Sequence, residues 1–129
     1  MDRRQESSAP EPRILIVDDD PAIRLLLSKF LEQLGYVVET TESGETALEL
    51  FNTATFDVIL VDLQLEGMTG LEMASVIRSQ HVHIPIALIT GVAHTLGEYD
   101  LEKTGISQLF TKPFDLDDIA AWLQAVLPQ

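Results

Sequence analysis

Ile14-Leu15-Ile16-Val17-Asp18-Asp19-Asp20-Pro21 decides the fold. Four β-branched or leucine residues in an unbroken run suit a strand buried on both faces, because a strand wet on one side would alternate apolar with polar positions. The run stops on carboxylates, and an Asp followed by Pro starts a helix: the side chain caps free amides while Pro takes the first turn. The periodicity predicts a helix to about Leu34, with Ile23, Leu26, Leu27, Phe30, Leu31 and Leu34 on one apolar face and Gly35 ending it. A buried strand, an acidic turn and an amphipathic helix make one unit of a parallel sheet.

The unit recurs along the chain. Tyr36–Thr40 reads as a second strand, and Ser43 caps a helix to about Asn52 that buries Ala47, Leu48 and Phe51. Val58–Val61 is a third apolar run, ending at Asp62. A loop with Gly67 and Gly70 leads to a helix carrying Leu71, Met73, Ala74 and Ile77. Ile86–Ile89 ends at Thr90-Gly91, and a weaker helix is expected near Thr95–Lys103, interrupted by Gly97. Leu109–Thr111 ends at Lys112-Pro113, and Leu116–Val126 closes the series with Ile119, Leu123 and Val126 facing inward. Five strands alternating with five helices predict an α/β fold with one parallel sheet covered on both faces. In such sheets ligands sit beyond the carboxyl ends of the strands. Asp18, Asp19, Asp62, Thr90 and Lys112 end four of those strands and should meet at one rim.

Composition narrows the function. The 129 residues suit one domain, with 46% hydrophobic and 22% charged residues as in a globular protein. Eight basic residues against 21 acidic ones give a net charge of −13, so the chain lacks the cations that release counterions from nucleic acid or hold an anionic membrane. The absence of cysteine excludes disulfides and thiolate metal sites. The longest apolar stretches, such as Ile84–Ile89, fall far short of the ~20 residues of a membrane span. Residues 1–12 are polar, with no apolar core for a signal peptide. They read as a disordered lead-in to a domain over 13–127, and a cytoplasmic location is expected.

Three carboxylates, a hydroxyl and an ammonium at one rim imply specific chemistry. Carboxylates in contact repel unless a cation intervenes, and a hard divalent ion with oxygen ligands resolves the conflict. Mg2+ suits a site of one or two carboxylates that also receives phosphate oxygens. Asp62 can then act as nucleophile toward a phosphoryl group, with Lys112 as a mobile cation and the Thr90 hydroxyl as donor.

From about Arg13 to Leu127 the chain resembles a response-regulator receiver domain of two-component systems. The resemblance rests on Val17-Asp18-Asp19, on Val61-Asp62-Leu63 with Gly67 and Gly70 downstream, on Thr90, and on Lys112-Pro113-Phe114. It implies a flavodoxin-like (βα)5 fold with strand order 2-1-3-4-5. It also implies that Asp62 takes a phosphoryl group from a phosphohistidine on a sensor histidine kinase or histidine phosphotransfer protein. Asp19, Asp62 and the Gln64 backbone carbonyl would bind Mg2+, with Asp18 acting mostly through a water, and the Lys112–Pro113 bond would be cis. Output to a downstream protein would use the fourth predicted helix, the fifth strand and the last helix, and a homodimer is a further expectation. Such a chain is expected to be a stand-alone receiver, a phosphorelay intermediate or a fragment of a larger regulator or hybrid kinase.

The sequence departs from the family pattern at three places. Leu65-Glu66 stands where a Met-Pro pair is usual, which loosens the loop. Leu109 stands at the usual switch aromatic, with Phe110 beside it on the opposite strand face, so coupling to Thr90 should be altered. Gly91 replaces a common Ala. Other polar residues read more plainly: Asp20 as a helix cap, His81, His83 and His94 as loop residues, and Asp115, Asp117 and Asp118 as complements to a helix dipole. Trp122 reads equally as half-buried packing or as an anchor on a partner surface.

Competing functions fit less well. A haloacid-dehalogenase-like phosphatase needs a second Asp two residues after the nucleophile, where this chain has Gln64. A flavodoxin-like flavin binder needs a hydroxyl- or Gly-rich loop where Asp18-Asp19-Asp20 would repel the phosphate. A degenerate receiver acting as a phosphorylation-independent interaction module is the main alternative, and the intact Asp, Thr and Lys set opposes it. The expected activity is therefore not turnover but self-promoted phosphorylation with slow loss of the phosphate.

Overall fold

The unbroken apolar runs become the five strands of one parallel sheet. The computed structural model describes residues 11–80, 83–91 and 105–127. The strands are β1 (Arg13–Val17), β2 (Val37–Thr41), β3 (Val58–Asp62), β4 (Ile86–Thr90) and β5 (Gln108–Thr111), in the order β2-β1-β3-β4-β5. The described helices are α1 (Pro21–Gln33), α2 (Gly44–Thr53), α3 (Gly70–Gln80) and α4 (Leu116–Val126). The helix expected near 95–103 lies outside the described residues, as do His81 and His94.

The three inner strands β1, β3 and β4 are the most apolar segments because both of their faces are covered. Every residue of β3 and β4 is buried, and so are Ile14–Val17 of β1. Alternation splits the core in two. Leu15, Val17, Ile59, Val61, Ile86 and Leu88 pack with Ala47 of α2 and with Met73, Ala74 and Ile77 of α3. Ile14, Ile16, Val58, Leu60, Ala87, Ile89 and Phe110 face Leu27 and Leu31 of α1 and Ile119 and Leu123 of α4. Each large aliphatic side chain so buried contributes ~1.5–3 kcal/mol.

The helix starts are those the sequence indicates. Asp20 accepts from the Ala22 N–H at 2.9 Å, Ser43 from the Thr46 N–H at 3.2 Å, and Asp115 from the Asp117 N–H at 2.9 Å. The apolar face expected of α1 is too broad. Leu27 and Leu31 are buried and Ile23 and Phe30 half-buried, but Leu26 and Leu34 are each 46% exposed. Leu34 is the C-cap, beyond the last helical turn. Leu26 is one step of about 100° around the helix from Leu27, outside the stripe that the sheet covers.

Register carries the chain to the rim. Val17 pairs with Val61, Asp62 with Ile89, and Thr90 with Thr111, so Asp18 lies beside Asp62, and Lys112 is one residue past the partner of Thr90. Gly70 fixes the exit from β3. Its N–H donates to the Leu63 carbonyl at 2.9 Å, and a Cβ there would lie 2.5 Å from the Asp62 carbonyl oxygen and 2.9 Å from Leu88 Cδ1. Gly70→Ala should therefore cost about 1–3 kcal/mol in urea unfolding, as overpacking against backbone does. Gly91→Ala, whose added methyl would meet nothing closer than Lys112 Cβ at 3.9 Å, should stay within about 0.5 kcal/mol of wild type. Equal costs at the two positions would contradict this account of the β3 exit.

Candidate acidic site at the strand rim

Asp18 follows the last residue of β1 and Asp62 ends β3, and the core on both sides of the sheet draws them under cover: Asp18 is 1% exposed and Asp62 6%. Asp19 is exposed. Carboxylate oxygens of Asp18, Asp19 and Asp62 all lie within 4.8 Å of one another, the one such group among the described residues. At that separation two ionised carboxylates repel by about 3 kcal/mol at an effective dielectric constant near 20. The fold holds them there with backbone bonds. The Asp18 N–H donates to the Thr41 carbonyl at 3.1 Å, and the Leu63 N–H to the Ile89 carbonyl at 3.0 Å.

Lys112 offsets part of the repulsion. Its Nζ donates to Asp62 Oδ2 at 3.0 Å and lies 3.8 Å from Asp18 Oδ2. The Lys112 N–H donates to the Thr90 carbonyl at 2.8 Å, which ties the lysine to the end of β4. Burial pushes the ammonium toward neutrality, but the Asp62 hydrogen bond and the charges of Asp18, Asp62 and Asp20 outweigh it, and its pKa rises. Lys112 is therefore charged at neutral pH. Thr90 is 1% exposed beside it, and the Lys112–Pro113 peptide bond is cis.

The remaining polar atoms divide unevenly. Asp18 Oδ1 accepts from the Asp20 N–H at 2.8 Å and Asp62 Oδ1 from the Gln64 N–H at 3.2 Å. Asp18 Oδ2, by contrast, is buried with no hydrogen-bond partner, and no other described buried side-chain polar atom shares that condition. Burial pushes the Asp18 carboxyl up to about 6, with the charges of Asp62 and Asp19 adding to the rise and the Asp20 N–H and Lys112 opposing it. Three carboxylates against one ammonium leave two negative charges when all are ionised. An orphaned buried oxygen, an excess of two charges and an all-oxygen donor set fit a hard divalent cation.

Sequence reasoning overlooked several supports. Arg24, one turn into α1, donates from Nη1 to the Asp18 carbonyl at 2.6 Å. The loop after Asp62 is also firmer than Leu65-Glu66 suggests. Thr69 and Glu72 form a reciprocal capping box at 2.9 and 3.1 Å. Leu63, Leu65 and Met68 pack on the α2–α3 side of the core. Leu109 packs on that same side while Phe110 lies in the other core, so the two do point to opposite faces. Trp122 is half-buried, its ring edge-on to Phe110 at 6.0 Å. Asp20 and His83 are exposed.

Compared with known proteins, residues 14–124 match the family described as the response regulator receiver domain. The chain is 31% identical over 114 residues to the transcriptional regulatory protein TcrA of Mycobacterium tuberculosis, covering 88% of this chain and 45% of that protein. It is 33% identical over 115 residues to the regulatory protein AtoC of Escherichia coli, covering 89% of this chain and 25% of that one. The chain thus spans less than half of either relative. Among solved structures, the chemotaxis response regulator CheY4 of Vibrio cholerae superposes with a TM-score of 0.84 at 33% identity, over 92% of this chain and 100% of that one. TrrA of Thermotoga maritima, solved in complex with Mg(2+)-BeF, superposes with a TM-score of 0.81 at 34% identity, over 90% of this chain and 99% of that one.

The raised Asp18 pKa has a stability consequence in metal-free protein. The native carboxyl binds its proton more tightly than the unfolded one. Its contribution therefore favours folding at low pH, declines as pH rises from about 4 to about 6, and is flat above. The decline amounts to about 3 kcal/mol. Asp18→Asn should remove it, so in urea titrations without divalent cation the variant gains on wild type by roughly 2–3 kcal/mol between pH 4 and pH 7.5. A difference between the two proteins that does not change with pH contradicts the assignment.

Proposed function

The chain belongs to the response-regulator receiver family, and from that premise we propose that Asp62 accepts a phosphoryl group in a Mg2+-dependent reaction and that the product switches partner binding. The observation that carries this reading is the Asp62 carboxylate itself: nearly buried, bonded to Lys112 Nζ at 3.0 Å, and clustered with the carboxylates of Asp18 and Asp19. Receiver domains act as regulatory switches rather than as turnover enzymes, which agrees with a site built for one covalent event on the protein's own side chain.

An Asp62 oxygen attacks phosphorus on a phosphohistidine of a histidine kinase or phosphotransfer protein. The new P–O bond forms as the P–N bond breaks, and the electron pair stays on the imidazole nitrogen, which takes up a proton. The acyl phosphate is later lost to water. Catalysis of such a transfer is mostly positioning and charge stabilisation. Lys112 supplies a persistent cation that exchanges the Asp62 oxygen for a phosphoryl oxygen, and the Thr90 hydroxyl donates to another. Asp18, Asp19, Asp62 and the Gln64 backbone carbonyl would hold Mg2+, which when bound neutralises phosphoryl oxygens. The orphaned Asp18 Oδ2 is the chief support for that ligand set.

The receiver unit we assign is 13–127, with 1–12 as a lead-in. No helix of the described residues is long and apolar enough to cross a membrane, and we assign the chain to the cytoplasm, where a phosphohistidine donor would meet it. For output we favour the β5–α4 side. A cleft there is lined by Leu109, Phe110, Phe114, Asp118 and Trp122, and its aromatic and acidic mixture suits a downstream protein bearing basic side chains.

Incubation with acetyl phosphate and intact-mass spectrometry tests the reading. A single phosphate adduct should form in wild type, require Mg2+, and vanish in Asp62→Ala. Lys112→Ala should slow its formation by roughly 100-fold, the usual cost of removing one charge-stabilising donor. An adduct that survives Asp62→Ala, or that forms equally well with a chelator present, contradicts the assignment.

A further inference from the structure

The Asp18 carboxylate occupies a place it should leave. It is buried, one oxygen has no hydrogen-bond partner, and it faces the repulsion of Asp62 and Asp19, offset only in part by Lys112 Nζ at 3.8 Å. A side chain under that pressure turns away unless the backbone beneath it is fixed. Three bonds fix it. The Asp18 N–H is held by the Thr41 carbonyl at 3.1 Å, and Oδ1 by the Asp20 N–H at 2.8 Å. The Asp18 carbonyl is held by Arg24 Nη1 at 2.6 Å. The first bond comes from the sheet edge and the second from the turn itself. The third alone comes from a side chain, and it is short and charge-assisted, about twice as strong as a neutral bond.

Arg24 holds more than one residue. The peptide joining Asp18 to Asp19 is planar, so a guanidinium fixed on the Asp18 carbonyl also sets the direction in which the chain enters Asp19. The Arg24 N–H in turn donates to the Asp20 carbonyl at 3.1 Å, within the first turn of α1. One residue therefore ties helix, turn and strand end together at the two acidic positions. The motif residues Asp18 and Asp19 do not carry this information, and neither does the capping signal at Asp20-Pro21.

We propose that Arg24 is the positioning residue of the cation site, holding the Asp18–Asp19 peptide so that both carboxylates present oxygens to a divalent ion. This inference rests on the reading that Asp18, Asp19 and Asp62 bind Mg2+. Arg24 touches neither the ion nor the phosphoryl group. It acts through the two acidic residues, as the outer partners of metal ligands commonly do, and loss of such a partner typically weakens metal affinity 10- to 100-fold.

The test is the Mg2+ dissociation constant of the unphosphorylated full chain, measured by calorimetry for wild type, Arg24→Ala and Arg24→Lys, with urea unfolding of each in chelator. Arg24→Ala should weaken Mg2+ binding at least tenfold, and the phosphorylation rate with acetyl phosphate should recover at saturating Mg2+. Arg24→Lys, which keeps a charged donor of similar reach, should restore affinity to within about threefold. If Arg24→Ala unfolds more readily yet binds Mg2+ as wild type does, the residue is a fastener of α1 and the inference is wrong. If Arg24→Lys binds no better than Arg24→Ala, the positioning bond is not the cause. If wild type itself binds no Mg2+, the underlying metal reading fails, and this inference with it.

Discussion

Two carboxylates that repel each other are held side by side by a sheet that cannot let them part. Asp18 and Asp62 stand on neighbouring parallel strands in fixed register, Val17 opposite Val61, with aliphatic side chains packed on both faces immediately below. Separating their backbones would mean slipping β1 against β3. Because side chains alternate with a period of two, a one-residue slip exchanges the two cores. The burial of Leu15, Val17, Ile59 and Val61 on one side and Ile14, Ile16, Val58 and Leu60 on the other thus stabilises an arrangement that electrostatics opposes.

Everything at the rim answers that constraint. Lys112 reaches across from the end of β5 to Asp62 and leaves Asp18 Oδ2 without a hydrogen bond. Burial, with the charges of Asp62 and Asp19 adding to it, raises the Asp18 pKa, while the Asp62 hydrogen bond and the acidic neighbours raise that of Lys112 against its own burial. The site is a charge imbalance stored in a rigid frame. Arrival of a cation, and then of a phosphoryl group, would redistribute that imbalance. The Lys112 N–H is bonded to the Thr90 carbonyl, which anchors the lysine's backbone at the end of β4. The position three residues before the lysine carries no aromatic here. Leu109 fills that position from the α2–α3 side, while Phe110 faces Trp122 across the other core.

The fold was legible because inner strands of a parallel sheet announce themselves: Ile14–Val17, Val58–Val61 and Ile86–Ile89 have no polar residue and are too short for helices. The site was legible for a related reason, since each of those runs ends in a residue that could not be buried idly. Caps at Asp20 and Ser43 were readable from local chemistry alone, whereas Asp115 was read only as a complement to the helix dipole. What escaped was non-local. Leu26 and Leu34 satisfy the helical period yet stay exposed, because period does not say how wide a stripe the sheet will cover. The firmness of the loop after Asp62 comes from Thr69, Glu72 and Met68 packing, which the loss of a Met-Pro pair concealed. Arg24 pairs with a backbone carbonyl, and backbone partners leave no trace in residue identity; only its place one turn after Asp20 could have hinted at it.

The most direct test of the central claim is a crystal structure of the protein with Mg2+ and beryllofluoride, which mimics a phosphoryl group on a carboxylate. The account predicts beryllium bonded to an Asp62 oxygen, Lys112 Nζ moved onto a fluoride, and the metal held by oxygens that include the Asp18 or Asp19 carboxylate. Beryllofluoride bound elsewhere, or an Asp62–Lys112 pair unchanged under saturating conditions, would contradict it.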